Sequence, residues 1–272
     1  MKTIFSHEQN EYMKSNYDKM TYKEIGEKLG FTERQIRGRI NNMGLSKLRR
    51  FNKDYFEKID SPNQAYWLGF IYADGYIIQN RTNRNYELGI DLQEEDGYLL
   101  EEFNRELGGV HCIKYKHKNK SFNGYEYTSH SAILRIYCKK LTDDLISRNV
   151  HINKTYRKEF PQCREFFWDF LRGFIDGDGC LHINQHNRLF LQITNANTGF
   201  LEYLVNEISD RINITGSIYK EKDLKYRLVF FWQSDVRLLL DEIYRDENCV
   251  KLERKHNIYK SYYRLSPLEI AG

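Results

Sequence analysis

Two segments of the chain place acids where an acid is poorly stabilised. Residues 66–77 read YWLGFIYADGYI and residues 170–181 read FLRGFIDGDGCL. Both contain Gly-Phe-Ile, one further residue, a small residue and Asp-Gly, with Gly69 matching Gly173 and Asp74 matching Asp178, each pair 104 residues apart. Each segment reads as a helix that stops at its Asp-Gly, with a β-pattern immediately after it. Small residues recur at i and i+4 (Gly69/Ala73 and Gly173/Gly177). A mid-helix glycine costs about 1 kcal/mol relative to Ala, and close crossing of two backbones is the natural requirement for it. That crossing brings Asp74 and Asp178 together at two helix C-termini, where the macrodipole is negative and each carboxylate repels the other. A divalent cation resolves the conflict. Hard oxygen ligands without a Cys/His cluster select Mg²⁺ over zinc, and the chemistry this suits is metal-assisted phosphodiester hydrolysis.

Both segments resemble the LAGLIDADG motif of homing endonucleases and related maturases, and the resemblance spans roughly residues 56–260. It implies an α+β fold of two pseudo-symmetric αββαββα halves, motif helices at their interface, and two saddle-shaped antiparallel sheets laid on DNA. It makes Asp74 and Asp178 the metal ligands, helped by the carbonyls of Ala73 and Gly177, with two or more Mg²⁺ ions and cutting across the minor groove. Three positions depart from the motif: Trp67 stands where Leu is usual, Tyr72 where the first Asp is usual, and Arg172 where a small residue is usual.

The elements around the acids follow from alternation. Residues 180–186 place Leu181 and Ile183 on one face of a strand and His182, Asn184 and His186 on the other, a polar face suited to reading bases. Their spacing does not converge on a zinc ion. In the first half Asn80 and Thr82 hold matching positions. The returning strands, 86–92 and 189–194, end at Glu94 and Asn195. The resemblance puts those two side chains near the scissile phosphates, orienting water; a helix-capping turn before Gly97 and Gly199 is an equal alternative. Arg188 and Gln192 lie on the same second-half hairpin. A further hairpin in each half, at 111–137 and 216–232, carries Lys114, Lys116, Arg135, Lys220, Lys222 and Arg227. Lys154 and Lys255 follow their aspartates by 80 and 77 residues. By resemblance a lysine in this region organises solvent, and both are candidates for stabilising the charged transition state, with Lys251 competing with Lys255.

Upstream, three capping boxes recur: Ser6 with Gln9, Thr21 with Glu24 and Thr32 with Gln35, which predicts three short helices. Gly30 and Gly44 close the second and third. The segment TYKEIGEKLGFTERQIRGRINNMGL resembles helix-turn-helix domains, which would expose Arg34, Gln35, Arg37, Arg39 and Asn41 of the third helix to DNA; a trihelical protein-interaction module is the alternative. The expected organisation is a helix-turn-helix domain over 1–46, a linker over 47–60 and the two halves over 61–160 and 161–272.

Charge agrees with this division. Residues 1–50 hold 11 Lys and Arg against 6 Asp and Glu, whereas the remainder holds 31 against 32, so only the first segment is basic as a whole. Hydrophobic content of 40% with three prolines excludes a largely disordered chain. Five cysteines without a C-x-x-C pair argue against a zinc cluster or a disulfide framework and for a reduced, cytoplasmic setting. No apolar run approaches a membrane span and no signal peptide is expected.

The expected function is therefore a site-specific endodeoxyribonuclease, a homing endonuclease making a Mg²⁺-dependent staggered break in double-stranded DNA at a long asymmetric target. Two motifs in one chain imply a monomer that requires no protein partner. The alternatives are an RNA maturase, for which a duplex-reading helix-turn-helix has less use, and a non-cleaving transcriptional regulator, which has no need of paired acids facing phosphates. The His256-Asn257 pair resembles an intein splicing terminus, but no splicing domain precedes residue 66.

Overall fold

The computed structural model describes residues 5–17, 20–45, 51–79, 86–122, 124–152, 158–221 and 225–265. The chain divides into two compact units, Met1–Arg50 and Phe51–Gly272.

The small unit is three helices, α1 (His7–Asn16), α2 (Tyr22–Leu29) and α3 (Glu33–Asn42). All three capping boxes form as reciprocal pairs, each cap side chain accepting from the N3 backbone N–H while the N3 side chain accepts from the cap's own N–H. Gly30 closes α2 with φ 75°. Met13, Ile25, Ile36 and Ile40 are fully buried between the helices.

The larger unit begins earlier than the sequence suggests. Residues 51–60 are not a linker: Tyr55 and Phe56 are buried in the main core, Asn52 N–H donates to Leu107 O, and Arg148 donates to the carbonyls of Phe56 and Glu57. Three aromatic residues in a short polar stretch, Phe51, Tyr55 and Phe56, make this segment part of a core.

The first half runs α4 (Pro62–Ala73), β1 (Gly75–Gln79), β2 (Tyr86–Gln93), α5 (Gly97–Glu106), β3 (Lys114–Phe122), β4 (Tyr125–Ile136) and α6 (Lys139–Ser147). The second repeats it as α7 (Phe167–Asp178), β5 (Gly179–Ile183), β6 (Leu189–Asn195), α8 (Thr198–Ile212), β7 (Ser217–Lys220), β8 (Tyr226–Val229) and α9 (Gln233–Ile243), and adds α10 (Glu253–Leu265). The sheets are antiparallel with the same order, β1-β2-β4-β3 and β5-β6-β8-β7. This is the αββαββα duplication that the resemblance implies. One face of each sheet packs on helices: Leu88, Ile90 and Leu92, and likewise Leu189, Leu191 and Ile193, are buried in one continuous core. No helix of the described residues is long and apolar enough to cross a membrane.

Candidate active site

The two motif helices, α4 and α7, cross at backbone contact. A Cβ on Gly69 would stand 2.0 Å from Phe170 O, and one on Gly173 would stand 1.9 Å from Tyr66 O. No side chain fits at either position, which is why both helices accept a glycine. One turn on, a Cβ on Gly177 would meet Ala73 Cβ at 2.4 Å and lie 3.5 Å from Asp74 Cγ. The missing side chain at 177 thus leaves a cradle beside the Asp74 carboxylate. Asp74 ends α4, its N–H bonded to Phe70 O, and Asp178 is the last residue of α7; both side chains are exposed. Gly75 and Gly179 then turn the chain into β1 and β5. In each a Cβ would strike the carbonyl oxygen of the helix just ended, Ile71 at 2.8 Å and Ile175 at 2.6 Å.

Lys255 lies behind these acids. It is 4% exposed, and its ammonium donates to the carbonyl oxygens of Ile175 (2.6 Å), Asp176 (2.8 Å) and Gly179 (2.6 Å). Burial pulls its pKa down to about 8, against the opposing pull of Asp176, Asp74 and Asp178. From sequence, Lys255 is expected to stabilise the transition state directly. Its ammonium is instead committed to the C-terminal carbonyls of α7, so it offsets the negative helix end that carries Asp178. The competing Lys251 donates to Glu247 O and is turned to its own loop.

The three departures from the motif are parts of the scaffold. Arg172 is 1% exposed and donates to Val250 O (2.8 Å), Ile243 O (3.0 Å) and Asp169 Oδ1 (2.8 Å), clasping the end of α9 and the loop that leads to α10. Trp67 packs on Phe103 and donates to Glu106. Tyr72 is buried against Phe174 and Phe200. Its counterpart Asp176, which holds the first-Asp position of the motif in the second copy and has no role assigned from sequence, accepts from Tyr66 Oη (2.9 Å) across the helix pair and from Leu252 N–H (2.7 Å). Burial pushes Asp176 up to about 6, with Lys255 and these two donors pulling the other way.

A cleft of about 390 Å³ opens beside Asp178, lined by Tyr72, Ala73, Asp178, Thr194, Asn195, Ala196 and Lys225. It brings together Asp178, Ala73 and Asn195 of the expected site and adds Lys225, whose position in a polar hairpin gives no signal in the sequence. Glu94, the first-half counterpart of Asn195, is differently engaged: its carboxylate accepts from His117 Nε2 (2.8 Å) and His130 Nδ1 (3.1 Å). Lys154 lies outside the described residues.

The outward faces of the sheets show which candidate DNA contacts share a surface. In the second half Cys180 pairs with Gln192, His182 with Phe190, and Thr194 with Arg227, so His182, Gln192 and Arg227 face the same side. Lys220 pairs with Tyr226 and therefore lies on the opposite face from Arg227. The strand does not reach His186. β5 ends at Ile183 because Asn184 Oδ1 accepts from the N–H groups of His186 (2.9 Å) and Arg188 (3.0 Å), and Asn187 takes φ 56°, so Asn184, His186 and Arg188 sit in the hairpin turn. Asn80, Thr82 and Lys222 lie outside the described residues. In the first half Lys114, Lys116, Lys118 and Lys120 alternate along β3 and are all exposed on one face. Arg135 on that face is neutralised by Glu87 (2.8 Å) and Asp91 (2.5 Å). On α3, Arg34, Arg37 and Asn41 are exposed, whereas Gln35 is spent in its capping box and Arg39 donates to Asn10 (2.7 Å).

Crossed motif helices, acids at their ends and two equivalent four-stranded sheets define the LAGLIDADG fold. Residues 168–256 match the family model of the LAGLIDADG-like domain. The fold is shared with the homing endonuclease I-WcaI, solved bound to its DNA recognition sequence, at 14% identity and a TM-score of 0.52 over 76% of this chain and 91% of that one. It is shared equally with the meganuclease I-SmaMI, solved on uncleaveable DNA, at 18% identity and a TM-score of 0.51 over 78% and 92%. No curated protein matches the chain by sequence. Over residues 168–256 the chain is similar in sequence to a LAGLIDADG-like domain, and it shares the LAGLIDADG homing-endonuclease fold.

Proposed function

We propose that the protein is a site-specific DNA endonuclease that makes a staggered double-strand break at a long asymmetric target. The observation that carries this reading is the meeting of Asp74 and Asp178 at the ends of two helices crossed at backbone contact, with a sheet extending from each. Paired acids at negative helix ends oppose both stability and phosphate binding unless a cation joins them. The oxygen-only donor set and the side-chain-free cradle at Gly177 fit a hard divalent ion. Asp74 and Asp178, with the carbonyls of Ala73 and Gly177, would hold Mg²⁺, two or more ions, and the metal would polarise the scissile phosphate and activate water. Thr194, Asn195 and Lys225 line the cleft where the phosphate would lie, and Lys255 keeps α7's C-terminus from repelling it. Homing endonucleases of this fold are held on DNA in their solved structures, which supports double-stranded DNA as the partner.

The two halves are unequal in detail: an exposed lysine stripe on one sheet, and histidine, glutamine and arginine on the other. That asymmetry suits a non-palindromic site read by a monomer. The basic three-helix unit would act as a helix-turn-helix reader through Arg34, Arg37 and Asn41. The test is digestion of DNA from the source locus with Mg²⁺, followed by sequencing of the ends. A single discrete break with 3′ overhangs, absent for Asp74→Asn plus Asp178→Asn, is expected. No discrete break, or undiminished cutting by the double variant, overturns the reading.

A further inference from the structure

β3 and β4 extend beyond their sheet. β4 pairs with β2 only through Ser131–Ile136, and Tyr125–His130 are paired with β3. The outer part is a two-stranded arm, and isolated hairpins are marginal in water. At its base His117 and His130 stand opposite each other, ring centroids 4.4 Å apart. Register places them on the face of Tyr115 and Ala132, which α5 covers: a Cβ on Gly97 would meet Ala132 Cβ at 3.1 Å and Tyr115 at 3.2 Å. The four-lysine stripe occupies the other face.

Into this pair comes Glu94 from the turn that precedes α5. Its Oε2 lies 2.8 Å from His117 Nε2 and 3.1 Å from His130 Nδ1, and the three ligand atoms all fall within 4.8 Å of one another. In a tetrahedral site with metal–N and metal–O lengths near 2.0–2.2 Å, ligand atoms stand roughly 3.3 Å apart. To take an ion in place of its two hydrogen bonds, the cluster opens its two carboxylate contacts by a few tenths of an ångström and draws its two imidazole nitrogens, now within 4.8 Å, to that spacing. Two imidazoles and one carboxylate form a borderline donor set, preferred by Zn²⁺ and its neighbours over Mg²⁺. The three side chains are half exposed, so solvent can supply the fourth ligand and the ion has a path in.

We propose that Glu94, His117 and His130 form a divalent transition-metal site, of the Zn²⁺ class, that clamps the β3–β4 arm to the turn before α5. The ion adds a coordinate link between the turn before α5 and both strands of the arm, beyond their strand pairing, the packing of α5 and the two exposed hydrogen bonds, and so orders the lysine-bearing arm. Its ligands are other side chains than the paired acids Asp74 and Asp178.

The test uses the full chain with Asp74→Asn and Asp178→Asn, titrated with Co²⁺ as a visible reporter. One Co²⁺ per chain with tetrahedral ligand-field absorption, displaced by Zn²⁺, is expected, and His117→Ala or His130→Ala each weakens it roughly tenfold or more. Glu94→Gln, which keeps the hydrogen bonds available, also weakens it. Amide exchange over 116–131 slows on Zn²⁺ addition. Absence of stoichiometric uptake in this background, or uptake indifferent to the histidine variants, overturns the site. Uptake without slower exchange overturns the clamp. Because the motif acids are removed, these outcomes are independent of whether the protein cuts DNA.

Discussion

Lys255 Nζ donates to the carbonyl oxygen of Gly179 at 2.6 Å, one residue beyond Asp178. The same ammonium serves Ile175 and Asp176, and α10, which carries it, is tied to the first half as well as the second, by Arg254 to Asp96 and by Glu253 N–H to Tyr98. The acid-bearing end of α7 is therefore held by a residue near the chain's far end.

Lys255→Met should destabilise the larger unit by about 3–5 kcal/mol, since it leaves carbonyls unpaired and removes the main positive charge facing the buried Asp176 carboxylate. Asp176→Asn keeps an acceptor for Tyr66 and Leu252 while removing the charge, so the double variant should be more stable than the sum of the singles predicts, by more than about 1 kcal/mol. Denaturant unfolding of the four proteins measures the coupling. Strict additivity would show that the two groups do not interact.

A second expectation concerns pH. Burial holds Asp176 at about 6, above the value near 3.8 of a free carboxyl. Between those limits the folded protein keeps a proton that the unfolded chain has released, so the contribution is full below about pH 4 and is lost as pH rises through 6. The loss from this group is at most about 3 kcal/mol. Stability curves of wild type and Asp176→Asn from pH 4 to 7 should converge in slope everywhere except that window. Parallel curves across it would mean that the carboxyl is not raised.

The repeat makes the fold readable because a mid-helix glycine and a helix-terminal Asp-Gly have few physical explanations, and two copies at matching spacing share one. The capping boxes are equally legible, since each encodes a reciprocal hydrogen bond in four consecutive residues. What escapes is long-range. Asp176 acts through Tyr66 and Leu252, and Lys225 borders the cleft only after the hairpin folds. His117 and His130 look unrelated in sequence, although the register of β3 on β4 sets them opposite each other. The strand expected through His186 fails for a local reason, because the Asn184 side chain offers the backbone a turn in place of the ladder.

The glycines of the interface and of α3 should respond oppositely to alanine. Gly173→Ala forces a Cβ to 1.9 Å from Tyr66 O, and since backbone cannot yield cheaply the variant should lose at least about 3 kcal/mol or fail to fold. At Gly38 in α3 an added Cβ would have nothing within 4 Å, so Gly38→Ala should stabilise the small unit by about 1 kcal/mol. Thermal melts of the full chain compare the two. A tolerated Gly173→Ala would contradict the helix crossing on which the pairing of Asp74 with Asp178 depends.

The lysine stripe supplies the last prediction. Lys114, Lys116, Lys118 and Lys120 share one exposed face of β3, at the two-residue strand spacing of about 6.6–6.8 Å. One phosphate per strand falls about every 3.4 Å along B-DNA, so the stripe can track a backbone without matching every phosphate. Replacing all four by Ser removes charge while leaving the strand's pairing intact. If each lysine neutralises one phosphate, the slope of log affinity against log salt should flatten by about 0.9 per lysine, up to about 3.6 for the set. Because such contacts carry no base information, specific and random duplexes should weaken alike. Measuring binding of the Mg²⁺-free protein to both duplexes at several salt concentrations separates the possibilities. An unchanged slope would take the stripe off the DNA surface, and a loss confined to the specific duplex would assign it to base reading.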